Sequence, residues 1–213
     1  MIGATGSGKT SLVNLIPRVY DPREGQILVN GRDVREWRLH DLRNQIAYSP
    51  QKITLFTGTI ASNIAFGEGL KNITPADIVQ AGDTAACDFI DDKEGEFAAE
   101  VAQGGSNFSG GQKQRISIAR TVARDAQNLI FDDTFSALDY APDRDIRGEL
   151  AEKANGKTQI IVAQRIATVR EADQIIVIDH GKIAARGTHD SLMASSKIYR
   201  EIALSQLSEA ELA

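Results

Sequence analysis

The sequence predicts an α/β fold: a mostly parallel core sheet with flanking helices, an antiparallel edge and an inserted all-helical subdomain. Three observations carry this. A glycine-rich loop, Gly3 to Thr10, runs straight into a segment with apolar residues at helical spacing. From Leu129 to Ile178, short apolar, β-branched runs alternate with helical stretches, the pattern of parallel strands joined by crossover helices. Between Ile53 and Asp125 strand signals vanish, and amphipathic stretches broken by Gly, Pro and Asn take over. Residues 1–213 are expected to form one domain, with 1–52 and 126–213 as the core lobe and 53–125 as the helical subdomain.

The elements follow in order. The helix after the loop runs towards Pro17, which kinks or ends it. Asp21-Pro22 and Gly25 are turn signals, Ile27 to Val29 is a short strand, and Asn30-Gly31 is a tight-turn pair. Trp37 to Asn44 reads as a helix, and Ile46 to Tyr48 as a strand stopped by Pro50. Gln112 to Arg124 is a helix carrying Ile116, Ile118 and Ala119 among basic residues. Leu129–Phe131, Gln159–Val162 and Ile175–Ile178 are the core strands. Asp179-His180-Gly181 turns the chain into Ile183–Ala185, and 191–213 reads as helical with a fraying end.

Composition sets outer bounds. Of 213 residues, 42% are hydrophobic and 25% charged, which excludes disorder as a description of the whole chain. Twenty-four basic against 29 acidic residues give a net charge of −5, a poor match to nucleic acid bound by bulk charge. The basic run Lys113–Arg124 is interleaved with apolar residues and reads as a helix face. No apolar run approaches the roughly 18–20 residues that span a bilayer, and the N-terminus is not expected to be a signal peptide. The single cysteine, Cys87, is expected to be a small apolar filler. His40, His180 and His189 show no metal-ligand spacing, with His189 expected to help cap the helix after it. Asp91-Asp92 is expected to be solvated surface, and Trp37 to pack.

Gly3-Ala4-Thr5-Gly6-Ser7-Gly8-Lys9-Thr10 matches the phosphate-loop pattern G-x-x-x-x-G-K-[ST]. The glycines let the backbone adopt positive φ and approach a ligand closely. Successive N–H groups then converge on an anion, helped by the dipole of the following helix. Lys9 adds a point charge for β- and γ-phosphates, and the Thr10 hydroxyl suits Mg²⁺. Only Met1 and Ile2 precede Gly3, so the strand that normally feeds such a loop is expected to be missing, as in a fragment or a start set too late. A second glycine-rich turn, Ser109-Gly110-Gly111, stands directly before a helix that opens with Gln112. The strand Leu129–Phe131 ends in Asp132 and Asp133, the placement by which phosphate-loop enzymes hold Mg²⁺ and orient water. Ser136-Ala137-Leu138-Asp139 follows.

Taken in order, GATGSGKT, SPQ, FSGGQ, LIFDD and SALD resemble the nucleotide-binding domain of an ABC transporter, from Gly3 to about Leu207. The resemblance implies a P-loop NTPase fold with ATP and Mg²⁺ as ligands. It implies that Gly3 to Thr10 bind the phosphates, that Thr10, Gln51 and Asp132 serve the metal, and that Gln51, Asp133 and Gln164 are catalytic. It implies that Ser109, Gly110, Gly111, Gln112 and Asp139 reach the ATP of a second nucleotide-binding domain in a head-to-tail dimer. Ser49–Gly67 and Glu100–Arg115 resemble exporters whose membrane and nucleotide domains share a chain. In those, both segments communicate with coupling helices of a transmembrane domain. The implied location is the cytoplasmic face of the cell membrane, with no nucleic-acid partner.

Two positions depart from the family's pattern. Asp133 stands where Glu is usual, and Gln164 where His is usual. Both alter the γ-phosphate end of one site, so the expectation is a degenerate site, an intact signature serving a partner's site, and a heterodimer. Phe108 replaces a usual Leu. The family's adenine-stacking aromatic would lie upstream of Met1, and Tyr20 and Tyr48 are expected to be packing residues. The alternatives are a soluble ABC-type ATPase acting on ribosomes or DNA, and a non-hydrolysing regulatory ATP-binding subunit.

Overall fold

The structure, a computed structural model, describes residues 1–67, 72–136, 138, 140–153 and 156–206. The chain runs α1 (Lys9–Val13), β1 (Leu28–Val29), β2 (Arg32–Asp33), α2 (Leu39–Asn44), β3 (Ile46–Ser49), β4 (Gly58–Thr59) and α3 (Ile60–Ile64). It continues through α4 (Pro75–Thr84), β5 (Glu100–Val101), α5 (Gly110–Ala123), β6 (Asn128–Asp132), α6 (Tyr140–Lys153) and β7 (Thr158–Val162). It ends with α7 (Ile166–Val169), β8 (Ile175–Asp179), β9 (Lys182–Gly187), α8 (His189–Ser195) and α9 (Lys197–Leu204). β3, β6 and β7 form a parallel sheet in the order β3-β6-β7, with Tyr48 opposite Ile130 and Phe131 opposite Ile161. β8 and β9 form an antiparallel hairpin, and β1 and β2 another.

Ile2 changes the expected picture of the phosphate loop. It bridges Ala163 and Val177 in parallel, with its amide on the Ile176 carbonyl at 2.9 Å and its carbonyl accepting from Ile178 at 2.8 Å. Ile2 therefore joins β8 and the end of β7 as a one-residue bridge, and the loop leaves from that buried position.

Strand β6 is buried on both faces, as a central parallel strand must be. Leu129 and Phe131 point into a cluster with Ala47, Ile116, Ile118, Ala119, Ile146 and Leu150. Ile130 points the other way, to Val13, Val34, Leu42, Ile46 and Val162. The first cluster also takes in Leu55, Ile60, Ile64 and Ile90, so the helical segment and the sheet share one continuous core. A third cluster joins Ile2, Ile166, Ile175 and Val177 to Leu192, Tyr199 and Ala203 of the last helices.

Several local expectations are corrected. The segment 53–125 does contain strand pairing: β4 and β5 form a two-residue antiparallel ladder. Trp37 is extended (φ −81°, ψ 146°) between a 3₁₀ turn at Val34–Glu36 and α2, with the Arg32 guanidinium over its ring at 5.2 Å. α5 begins at Gly110, two residues earlier than expected, because Ser109 caps it. His189 does not cap α8: Thr188 does, and the His189 Nδ1 meets the Tyr199 hydroxyl at 2.8 Å. Residues 207–213 of the expected C-terminal helix lie outside the described residues. Cys87 is buried, and burial pushes its thiol up to about 12.

The segment after Gln51 is held by one buried asparagine and one arginine. Asn63 accepts from the Phe56 amide at 2.8 Å and donates to the carbonyls of Phe56 (2.7 Å) and Thr59 (3.0 Å). Arg120 of α5 donates to the Asn63 carbonyl (2.7 Å), the Asn63 side chain (3.0 Å) and the Thr54 carbonyl (3.1 Å). Its guanidinium also lies near the faces of Phe56 and Phe66, which stack at 4.2 Å. Burial lowers the Arg120 pKa to about 10. Asn63→Ala is expected to cost about 3 kcal/mol, because it strands buried backbone groups and an arginine bond together, and urea denaturation measures it. Because Cys87 is buried and its thiol is held above the usual range, a maleimide is expected to leave it unlabelled until the chain unfolds.

Candidate functional site

The site lies at the C-terminal ends of the parallel strands, where crossover connections leave a crevice. Gly3 sits against β8 so closely that a Cβ would lie 2.1 Å from the Ile178 carbonyl oxygen. Gly6 (φ 79°) and Gly8 (φ 103°) take left-handed backbone, and Gly8 is the N-cap of α1. The Gly181 amide donates to the Ser7 carbonyl at 3.0 Å, bracing the loop from behind with the β8–β9 turn. The loop curls around its own lysine. Lys9 is 8% exposed and donates to the carbonyls of Gly3 (2.8 Å) and Ala4 (2.9 Å), with the Ser7 hydroxyl at 3.4 Å. Burial lowers the Lys9 pKa, and the carboxylates of Asp133 and Asp132 pull it back up.

Period-two alternation along β6 sends Asp132 to the α1 side of the sheet and leaves Asp133 just past the strand end. Asp132 is 1% exposed. Its Oδ1 accepts from the Thr10 hydroxyl at 3.0 Å, and its Oδ2 from the Tyr48 hydroxyl at 3.0 Å. Tyr48 packs against the Ile130 cluster as expected, and its hydroxyl also reaches the site. Burial and the adjacent Asp132 charge hold its phenol well above the usual range. Its position was readable in principle: it lies on the same face of β3 as Ile46, at the strand's C-terminal end, beside the carboxylates of β6. Thr10 and Asp132 present a hydroxyl and a carboxylate oxygen together, a donor set suited to a hard cation such as Mg²⁺.

Asp133 takes φ 52°, unusual for a non-glycine residue, and this turns its side chain out of the strand direction. One carboxylate oxygen, Oδ2, accepts from Gln51 Nε2 at 3.1 Å and from Gln164 Nε2 at 2.8 Å. Thr5 extends the chain of contacts, its hydroxyl donating to Gln164 Oε1 at 3.4 Å. So Thr5, Gln51, Asp133 and Gln164, distant in sequence, meet at one point beside the loop. Arg165 donates to the carbonyls of Ser136 (2.9 Å) and Leu138 (3.2 Å), tying the turn between β7 and α7, hereafter the switch turn, to the loop after β6.

The second glycine-rich turn is separate. Ser109 and Gly110 are exposed, and Ser109 and Gln112 bond each other across the first turn of α5 in a capping box (3.0 and 3.2 Å). Among the described residues, no hydrogen bond joins Ser109, Gly110, Gly111 or Gln112 to the phosphate loop. Phe108 anchors the turn from below, edge-on to Phe89 at 6.2 Å and under Lys93 at 4.6 Å. Asp139 lies outside the described residues. Gln206, which the sequence reading passes over, bonds the switch turn directly.

A family model described as ABC transporter matches residues 1–136. An uncharacterised ABC transporter ATP-binding protein of Mycobacterium bovis is 44% identical over 207 residues, covering 97% of this chain and 35% of its own length. An ATP-dependent lipid A-core flippase of Pectobacterium atrosepticum is 40% identical over 210 residues, 98% of this chain and 36% of its own. A solved bacterial Atm1-family ABC exporter with ATP bound aligns with a TM-score of 0.91 at 35% identity, over 98% of this chain and 36% of that one. The chain therefore spans about a third of the length of the curated relatives it matches.

Tyr48→Phe deletes a hydrogen bond to a buried carboxylate and is expected to cost about 1.5–3 kcal/mol, read from urea denaturation.

Proposed function

This chain belongs to the ABC transporter family, and from that premise we propose that it binds and slowly hydrolyses ATP, with Mg²⁺, to power transmembrane export. Gly3 to Thr10 hold the phosphates, with Lys9 exchanging the Gly3 and Ala4 carbonyls for phosphate oxygens. Thr10, Asp132 and Gln51 would hold Mg²⁺. When bound, the metal neutralises charge on the β- and γ-phosphates. Asp133 accepts a proton from the attacking water as its oxygen bonds to the γ-phosphorus and the bond to the β-phosphate oxygen breaks. Residues 53–125 act as the helical subdomain, and Phe56 with its neighbours faces the coupling helices of a transmembrane domain. The assembly sits at the cytoplasmic face of the membrane. Among the described residues no helix is long and apolar enough to cross one.

One observation supports the finer reading that this site is degenerate: among the described residues, the side chains that donate to Asp133 Oδ2 are the two amides of Gln51 and Gln164. Asp133 is shorter than Glu by one methylene, about 1.3–1.5 Å of reach. A misplacement of about 1 Å costs on the order of a hundredfold in rate. Gln164 donates a hydrogen bond but carries no charge and relays no proton. The turn Ser109–Gln112 matches the family pattern and would complete a competent site on a partner domain, which gives a head-to-tail heterodimer with one fast and one slow site.

The test uses the full-length protein with its natural partner. Asp133→Glu combined with Gln164→His is expected to raise ATP turnover by roughly tenfold or more and to shorten ATP retention. Gln164→His is also expected to add a pH inflection near about 6.5 that the wild type lacks. Unchanged turnover and retention would make Asp133 and Gln164 working substitutes and return a symmetric homodimer.

A further inference from the structure

One side chain just past the last helix grips the turn that carries Gln164. Gln206 Oε1 accepts from the Ile166 amide at 2.8 Å, and Gln206 Nε2 donates to the Gln164 carbonyl at 2.8 Å. The primary amide thus pairs with the backbone at 164 and 166 much as a neighbouring strand would. The turn has a vacancy for such a partner. Arg165 is the N-cap residue of α7 and makes no side-chain cap bond, while Ile166, whose amide opens the helix, is fully buried. A buried amide without an acceptor costs as much as a lost hydrogen bond. Gln206 meets that need from 40 residues away.

The grip is anchored. Tyr199 and Ala203 of α9 are fully buried against Ile2, Ile166 and Val169, and the Tyr199 hydroxyl meets His189 at 2.8 Å. The Gln206 amide donates to the Ala203 carbonyl at 3.0 Å, which fixes the end of the helix. A continuous line of contacts then runs from α9 through Gln206 to the Gln164 backbone, and from the Gln164 amide to Asp133 at 2.8 Å.

We propose that Gln206 is a positioning residue: it sets the backbone of the switch turn so that Gln164 meets the Asp133 carboxylate, making α9 part of the γ-phosphate site. This rests on the ATP-site reading of Asp133 and Gln164. Two substitutions separate the two bonds. Gln206→Ala loses both. Gln206→Glu keeps an acceptor for Ile166 but sets a carboxylate against the Gln164 carbonyl.

The experiment combines amide hydrogen exchange at Ile166 with steady-state ATPase, in the full-length protein with its partner. Gln206→Ala is expected to speed Ile166 exchange about five- to tenfold, and Gln206→Glu to leave it near wild type. Both are expected to lower turnover about threefold or more with little change in KM. In a Gln164→Ala background neither is expected to lower turnover further, because the effect passes through Gln164. Ile166 exchange unchanged in Gln206→Ala overturns the proposal. So does a turnover loss that persists undiminished in the Gln164→Ala background, which marks a merely structural role. A wild type without turnover counts against the ATPase reading alone. Exchange at Ile166 then decides Gln206: acceleration only in Gln206→Ala supports the grip, and no acceleration ends it.

Discussion

The organisation of this site depends on a contradiction built into strand β6. The strand is buried on both faces and packed by Leu129, Ile130 and Phe131, yet it delivers two carboxylates at its end. Neither carboxylate is tolerable there without hydrogen-bond donors. The surrounding chain is arranged to supply them: Thr10 from the phosphate loop, Tyr48 and Gln51 from the end of β3 and the segment after it, and Gln164 from the turn after β7. Each donor arrives from a different element, so satisfying Asp132 and Asp133 also fixes how those elements sit. Stability and site geometry have the same cause.

This coupling explains which parts were legible in the sequence. Local structure written in short-range spacing could be read: the tight loop Gly3–Thr10, the turn at Ser109–Gln112 that opens α5, and the apolar strand ending in Asp132. The β-branched runs also located β6, β7 and β8 within a residue or so of their observed bounds. What escaped is contact made across elements. Tyr48 looks like core in a short apolar run, and only the pairing of β3 with β6 brings it to Asp132. Gln206 sits in a polar stretch with no local pattern, and its partners lie about 40 residues earlier. Ile2 is too short a signal to read as a strand, because its pairing is supplied by Ala163 and Val177 on either side.

The misread helix boundaries have equally specific causes. Trp37 has helical neighbours but is itself extended, closing one 3₁₀ turn before Arg38 caps α2. Thr188 outcompetes His189 as a cap because a hydroxyl at the N-cap reaches the third amide of the helix, whereas the imidazole has a buried phenol to bond. The two-residue β4–β5 ladder is below the length at which alternation can be detected.

The way Lys9 is held has a consequence of its own. Its ammonium already occupies a ready-made oxygen cage in the loop's own carbonyls. The loop's own carbonyls thus give the ammonium its hydrogen-bond acceptors. Under the proposed phosphate-binding role, an anion competes with those carbonyls for the same donor, and its affinity is the difference between the two. Selectivity benefits from the same competition. A multiply charged anion competes with the carbonyls better than a singly charged one, because attraction to the ammonium grows with the anion's charge.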